Sequence, residues 1–182
     1  NRPVSENPEF FITAKDYENW APVMKAEKLV FEPGGMYEYS NPAFNGLALI
    51  IEKVSGRKWQ DFIAERIFRP AGMATSTITD GPHPETGVSH AYEMVNGSWT
   101  ESDYGEFPTF PAAGNGGVWS SVNELVLYEK AIRNNLFLGA ALTEKSRTIC
   151  RPDTWAGSRP PFIGYSWFIG EDQVLGQPNG FG

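Results

Sequence analysis

Tyr39-Ser40-Asn41 is the stretch of this chain whose residue types come nearest to chemistry. In an extended segment Tyr39 and Asn41 point to one side and Ser40 to the other. A phenol beside an amide can serve as a base with a polarising partner. A plainer role competes with it. Asn41 is a residue type favoured at helix N-caps, and Pro42 suits the first helical position, where its missing N–H costs nothing. On that reading Tyr39 packs beside a helix start.

Other reactive patterns fail on spacing. Ser55-Gly56-Arg57-Lys58 has the Ser-x-x-Lys spacing that sets an amine beside a hydroxyl one helical turn away. Here Ser55 falls at the end of a helix and Gly56 terminates it, so the two side chains need not share a face. No serine stands between glycines as Gly-x-Ser-x-Gly, and no phosphate-binding loop is present. His83, His90 and Cys150 show no metal-ligand spacing, and His83, flanked by prolines, reads as a surface residue. Neither a metal nor an organic cofactor is expected. Gly114-Asn115-Gly116-Gly117 reads as a turn before a capped helix.

The elements that must position these residues follow from apolar period and punctuation. Asp16 to Met24, with Tyr17 and Trp20 at helical spacing, predicts a short helix limited by Pro22. Phe44, Leu47, Ala48, Ile51 and Val54 predict the helix after Asn41, closed by Gly56. A further helix over about 58–68 carries Trp59, Phe62, Ile63 and Ile67 on one face, with Arg69-Pro70 as its stop. Residues 72–110 read as a long excursion with a hairpin at Asn96-Gly97. Ser121 and Glu124 form a capping box before a stripe of Leu125, Tyr128, Ala131 and Ile132. From Pro160 on, GYSWFIG and VLGQPNGFG predict two strands joined at 171–173.

Composition narrows the partners. The net charge of −7, with no basic run, argues against nucleic acid. The 41% hydrophobic content supports a packed core, and the apolar run at 47–51 is far too short to span a bilayer. A single cysteine forms no internal disulfide framework and fixes no compartment. Tyr17, Trp20, Tyr104, Phe107, Phe110 and Trp119 are candidates for an aromatic acyl pocket, with core burial as the competing role.

The segment FEPGGMYEYSNPAFNGLALIIEKVSGRKWQDFIAERIFRPAGMATST resembles the β-lactamase-like serine hydrolases: class C β-lactamases, related esterases, D-aminopeptidases and DD-peptidases of penicillin-binding-protein type. AAGNGGVWSSVNEL resembles that family's Ala-Gly-Gly-x-x-Ser-Thr-x-x-Asp-Leu segment, and IGYSWFI its Gly-x-Gly-Trp strand. The likeness covers roughly residues 29–170, with Ala71 where leucine is usual. It implies an α+β fold, mostly the helical subdomain (1–159), with 160–182 starting the sheet domain as a short hairpin. It also implies acyl-enzyme chemistry on an amide, ester or β-lactam, with Tyr39 as base and Asn41 hydrogen-bonding the lysine and the substrate's acyl amide. A tyrosine titrates near ~10 and needs neighbouring cations to act as a base. The family's Ser-x-x-Lys and basic-x-Gly motifs have no counterpart here; Glu85-Thr86-Gly87 has an acidic head. The expected chain is therefore a central piece of such a hydrolase, inactive alone and prone to associate. Its expected partners are a small-molecule or peptide acyl substrate and either the remainder of the domain or another copy. A catalytically dead homologue serving as a binding or scaffold module is the alternative. Resemblance favours a periplasmic or secreted setting.

Overall fold

The computed structural model describes residues 15–35, 37–80, 84, 86–90, 92–101, 112–149, 162–171 and 178–181. Their contacts divide the chain into two compact units. One contains the described residues of 2–28 and 40–128; the other contains 29–39 and those from 129 on.

In the first unit, helix α1 spans Asp16–Lys25 and contains Pro22. Helix α2 spans Asn41–Ser55 and ends on Gly56, whose φ of 69° places it in the left-handed region. The N-cap is Ser40, one residue before the expected Asn41, and no side chain caps the helix. Pro42 explains this. An N-cap hydroxyl bonds the N–H of the second or third helical residue. The second is the proline, and the third, Ala43, donates instead to the Ser40 carbonyl at 3.2 Å.

Helix α3 covers Trp59–Ile63 and continues through a π turn at Ala64–Phe68 into the short α4 at Arg69–Ala71. The expected stop at Arg69-Pro70 is thus overrun by a turn. A proline ring crowds the carbonyl four residues back, and the wider π turn immediately before Pro70 relieves that crowding. Gly72, at φ 77°, closes the run.

Strand β1 (Thr77–Ile78) pairs antiparallel with β4 (Val118–Trp119), a pairing the sequence did not announce. Between them lie the hairpin β2 (Tyr92–Val95) and β3 (Ser98–Glu101) and the short helix α5 (Ala113–Gly116). The hairpin turns at Asn96 and Gly97 with φ of 50° and 81°, the geometry of a two-residue primed turn. Helix α6 follows at Val122–Arg133, its residues from 129 on belonging to the other unit. Ala48, Trp59 and Ala113 form the buried centre, with Ile51, Ile63 and Ile78 against it.

In the second unit, helix α7 (Ala140–Ser146) precedes β5 (Phe162–Ile163), β6 (Phe168–Glu171) and β7 (Pro178–Phe181). These form an antiparallel sheet in the order β5-β6-β7, pairing Phe162 with Ile169 and Phe168 with Phe181. The expected pair of strands is present with one more beside it; the junction at 172–173 lies outside the described residues. Tyr165 N–H donates to the Ser146 carbonyl at 2.8 Å, tying the sheet to the end of α7. Arg147 grips Glu129 through both terminal guanidinium nitrogens and stacks 4.4 Å from the Trp167 ring centre. Among the described residues no helix is long and apolar enough to cross a membrane.

Candidate functional site

Tyr39 ends the 29–39 segment of one unit, and Asn41 is the first helical residue of the other. Both side chains are exposed, Tyr39 at 64%. Residues 37–40 carry no helix or turn, and Ser40 is extended at φ −147° and ψ 100°. Asn41 therefore stands in the first turn of a long helix, where unpaired N–H groups make a partial positive charge. Its amide can donate and accept there, and Tyr39 Oη can exchange a proton with whatever reaches it.

The start of α2 is held by a buried asparagine and partners that the sequence did not single out. Asn45, one turn beyond Asn41, is fully buried, and its Nδ2 donates to Asp16 Oδ1 at 2.7 Å. The same oxygen accepts the Gly114 N–H at 2.9 Å, so one carboxyl joins α1, α2 and α5. Asp80 completes the start of α5 by accepting the Ala113 N–H at 3.3 Å and Gln60 Nε2 at 3.0 Å. Burial pushes the Asp16 carboxyl above its ordinary value, the bonds from Asn45 and Gly114 oppose this, and Asp80 and Glu52 push further up. These partners lie 29 and 98 residues away from Asp16 in sequence, beyond any local signal. On the same face of contact, Trp20 lies where a Cβ at Gly46 would come within 2.9 Å of its ring.

The expected capping box at Ser121 and Glu124 is half formed. Ser121 Oγ accepts the Glu124 N–H at 3.3 Å. The Glu124 carboxylate does not turn back. It accepts the Thr75 N–H at 2.7 Å and a short bond from the Ser76 hydroxyl, whose oxygen also meets Ser120 Oγ at 2.8 Å. The Ser76 bond leads the effects holding its carboxyl below the ordinary value; the Thr75 N–H adds to this while burial opposes it. A buried carboxylate with two donors is thus a staple between the Gly-Met-x-x-Thr segment and α6.

The remaining candidates do not come together. Ser55 Oγ accepts the Arg57 N–H at 3.2 Å in the turn after α2, while Lys58 is the N-cap of α3, so Ser55 and Lys58 belong to different elements. Trp20 packs on α2, and Trp119 Nε1 donates to Thr79 Oγ1 at 3.0 Å, both serving as structural contacts. Tyr17 is exposed. Tyr104, Phe107 and Phe110 lie outside the described residues, as do His83, Glu85 and Cys150. His90 pairs with Glu101 at 3.1 Å at the foot of the hairpin.

The helical core and small antiparallel sheets are those of the β-lactamase/transpeptidase-like fold. A profile of the family described as Beta-lactamase matches residues 3–182, and the chain belongs to that family. It is similar to an octameric penicillin-binding protein homologue from Pyrococcus abyssi, with a TM-score of 0.73 and 27% identity, covering 91% of this chain and 37% of that one. The D-amino acid amidase from Ochrobactrum anthropi SV3, solved with D-phenylalanine, shares the fold at a TM-score of 0.65 and 22% identity, over 87% of this chain and 47% of that one. A D-aminopeptidase of Brucella ovis is 28% identical over 144 residues, which are 74% of this chain and 25% of that protein. The chain thus spans about a quarter of the curated relative's length.

Proposed function

We propose that these residues supply the Tyr-x-Asn wall of a serine hydrolase site that cleaves an amide, ester or β-lactam through an acyl-enzyme. The match of the family profile over 3–182, with Tyr39-Ser40-Asn41 opening α2, carries this reading. The nucleophile and its lysine are supplied from outside these 182 residues, as is the basic strand motif. Tyr39 Oη takes the proton of the nucleophile, returns it to the leaving group, and repeats the exchange for the deacylating water. The Asn41 amide orients the lysine and the acyl amide. Residues 1–159 form the helical subdomain and 160–182 begin the sheet domain. The names of the amidase and aminopeptidase relatives support D-amino-acid amides and short D-peptides as the first substrates to try. The octameric relative supports self-association of the assembled enzyme.

The full-length protein is assayed on a p-nitrophenyl ester and a D-amino acid p-nitroanilide. The expected result is turnover, an acyl adduct visible by mass spectrometry, and a drop in kcat of about 10²–10⁴-fold in Tyr39→Phe. A Tyr39→Phe protein as fast as its parent removes the base assignment. Absence of both turnover and adduct in the parent favours the catalytically dead binding homologue instead.

A further inference from the structure

We propose that Asp16 is a positioning residue for Asn41, its carboxyl holding the first turn of α2 in place through Asn45. The inference rests on the reading of Asn41 as part of the site. The start of α2 has no side-chain cap, and Ala43 N–H donates to the Ser40 carbonyl at 3.2 Å. Helix ends without caps fray. An anchor one turn further in therefore decides where Asn41 stands. That anchor is Asn45, four residues on and on the same face. Asn41 is exposed, whereas Asn45 is wholly buried. Asn45 Nδ2 donates to Asp16 Oδ1 at 2.7 Å, and Asn45 Oδ1 finds no partner among the described residues. Asp16 is thus the hydrogen-bond hold on that side chain.

The carboxyl is fixed from a second side. Its Oδ1 also accepts the Gly114 N–H at 2.9 Å. A Cβ at Gly114 would stand 2.7 Å from Ala48 Cβ and 3.0 Å from the Phe44 carbonyl oxygen, so α5 lies directly on α2. Asn41, Phe44, Asn45 and Ala48 follow one stripe of that helix, and the contact runs up the stripe to Asn41. All of these residues belong to one unit. A displaced polarising amide costs rate without any loss of fold. The charge on Asp16 matters to the hold. Burial pushes its carboxyl above the ordinary 3.8, the bonds from Asn45 and Gly114 oppose this, and Asp80 after β1 and Glu52 on α2 push further up. Protonation in acid weakens both charge-assisted bonds, and Asn41 senses the change.

The test is kinetic, on the full-length protein with a D-amino acid p-nitroanilide, at a temperature where circular dichroism shows each variant folded. Asp16→Ala is expected to lower kcat about 10–10²-fold, the scale of a misplaced group, with KM changed less. Asp16→Asn keeps an oxygen that accepts both N–H bonds and is expected to restore kcat to near the parent's. In an Asn41→Ala background, Asp16→Ala is expected to add no further loss. Additive losses, or a folded Asp16→Ala protein with the parent's kcat, overturn the positioning role. An Asn41→Ala protein as fast as its parent removes the site reading and the inference with it. If Asp16→Ala does not fold, or the parent does not turn over, nitrogen-15 spectra decide. The Asn41 side-chain amide signals are expected to shift in acid at the midpoint reported by the Gly114 N–H and the Asn45 amide, and to lose that step in Asp16→Asn. Asn41 signals that keep the step in Asp16→Asn, or never show it, overturn the coupling. A parent without turnover overturns the hydrolase reading, and the spectra tell that failure apart from a failure of the coupling.

Discussion

A methyl group at position 114 has no free space to enter. A Cβ there would stand 2.7 Å from both Ala48 Cβ and Asp16 Oδ1 and 3.0 Å from the Phe44 carbonyl oxygen. Neither backbone nor a carboxyl held by two hydrogen bonds yields cheaply. Gly114→Ala is therefore expected to cost about 1–3 kcal/mol, the usual range for overpacking a filled site. A urea titration reads this as a lower midpoint at unchanged slope, and an unchanged midpoint would show that the α1–α2–α5 contact relaxes freely. Gly117 is confined in the same way, since a Cβ would collide with the Thr79 carbonyl oxygen across the β1–β4 pair. So the glycine cluster read from the sequence as a turn is also a packing requirement. The same logic explains Gly46, which lets the Trp20 ring lie on α2.

Elements here are joined by carboxylates that terminate or brace other elements. Glu52 on α2 accepts the Trp59 N–H at 3.2 Å and so starts α3. Arg57 in the connecting turn pairs with Glu65 of the π turn at 2.7 Å, although that exposed pair contributes little. Glu124 is the interior case. Its carboxyl is held below the ordinary value of 4.5, so its stabilising effect is present above that pH and is lost as the pH falls through the lowered folded value. Glu124→Gln keeps the size of the side chain but removes the charge. Thermal melts at a series of acid pH values should show a shallower loss of Tm in this variant than in the parent. Glu65 and Glu129, also held low by arginines, contribute the same slope to both proteins and cancel in the comparison. Parallel curves would mean that Ser76 and Thr75 do not favour the ionised form.

Over the whole molecule, apolar side chains remain on the surface of elements that are otherwise well anchored. Phe44, Leu47, Ile50 and Val54 lie exposed on α2, and Val122, Leu125 and Val126 on α6. Leu125, in the apolar stripe read for that helix, is half exposed. Apolar surface in such stretches favours association with another molecule. The 182 residues expressed alone are therefore expected to associate despite a net charge of −7. Sedimentation velocity tests this directly, and a stable, soluble monomer at high concentration would argue against it.

The sequence by itself determined several of the local elements and pointed to the family. The period of Phe44, Leu47, Ala48 and Ile51 with Gly56 behind it specified α2, because apolar spacing and a left-handed terminator act within a few residues. Asn96-Gly97 specified its hairpin for the same reason, since only the turn residues must accept positive φ. The order of motifs, from Tyr39-Ser40-Asn41 to the Ser120-Ser121 segment, was enough to point to β-lactamase-like hydrolases, and the family profile agrees. Only the tertiary structure decided where the polar groups went. Glu124 has the same local chemistry in a capping box as in a staple to Thr75, and proximity of a segment 49 residues away selects the staple. Asp16 is an ordinary first-turn acid in sequence, yet Asn45 and Gly114 turn it into the joint behind the Tyr-Ser-Asn helix. The π turn before Pro70 was likewise invisible, because a sequence shows that a helix must accommodate a proline but not whether it ends or widens.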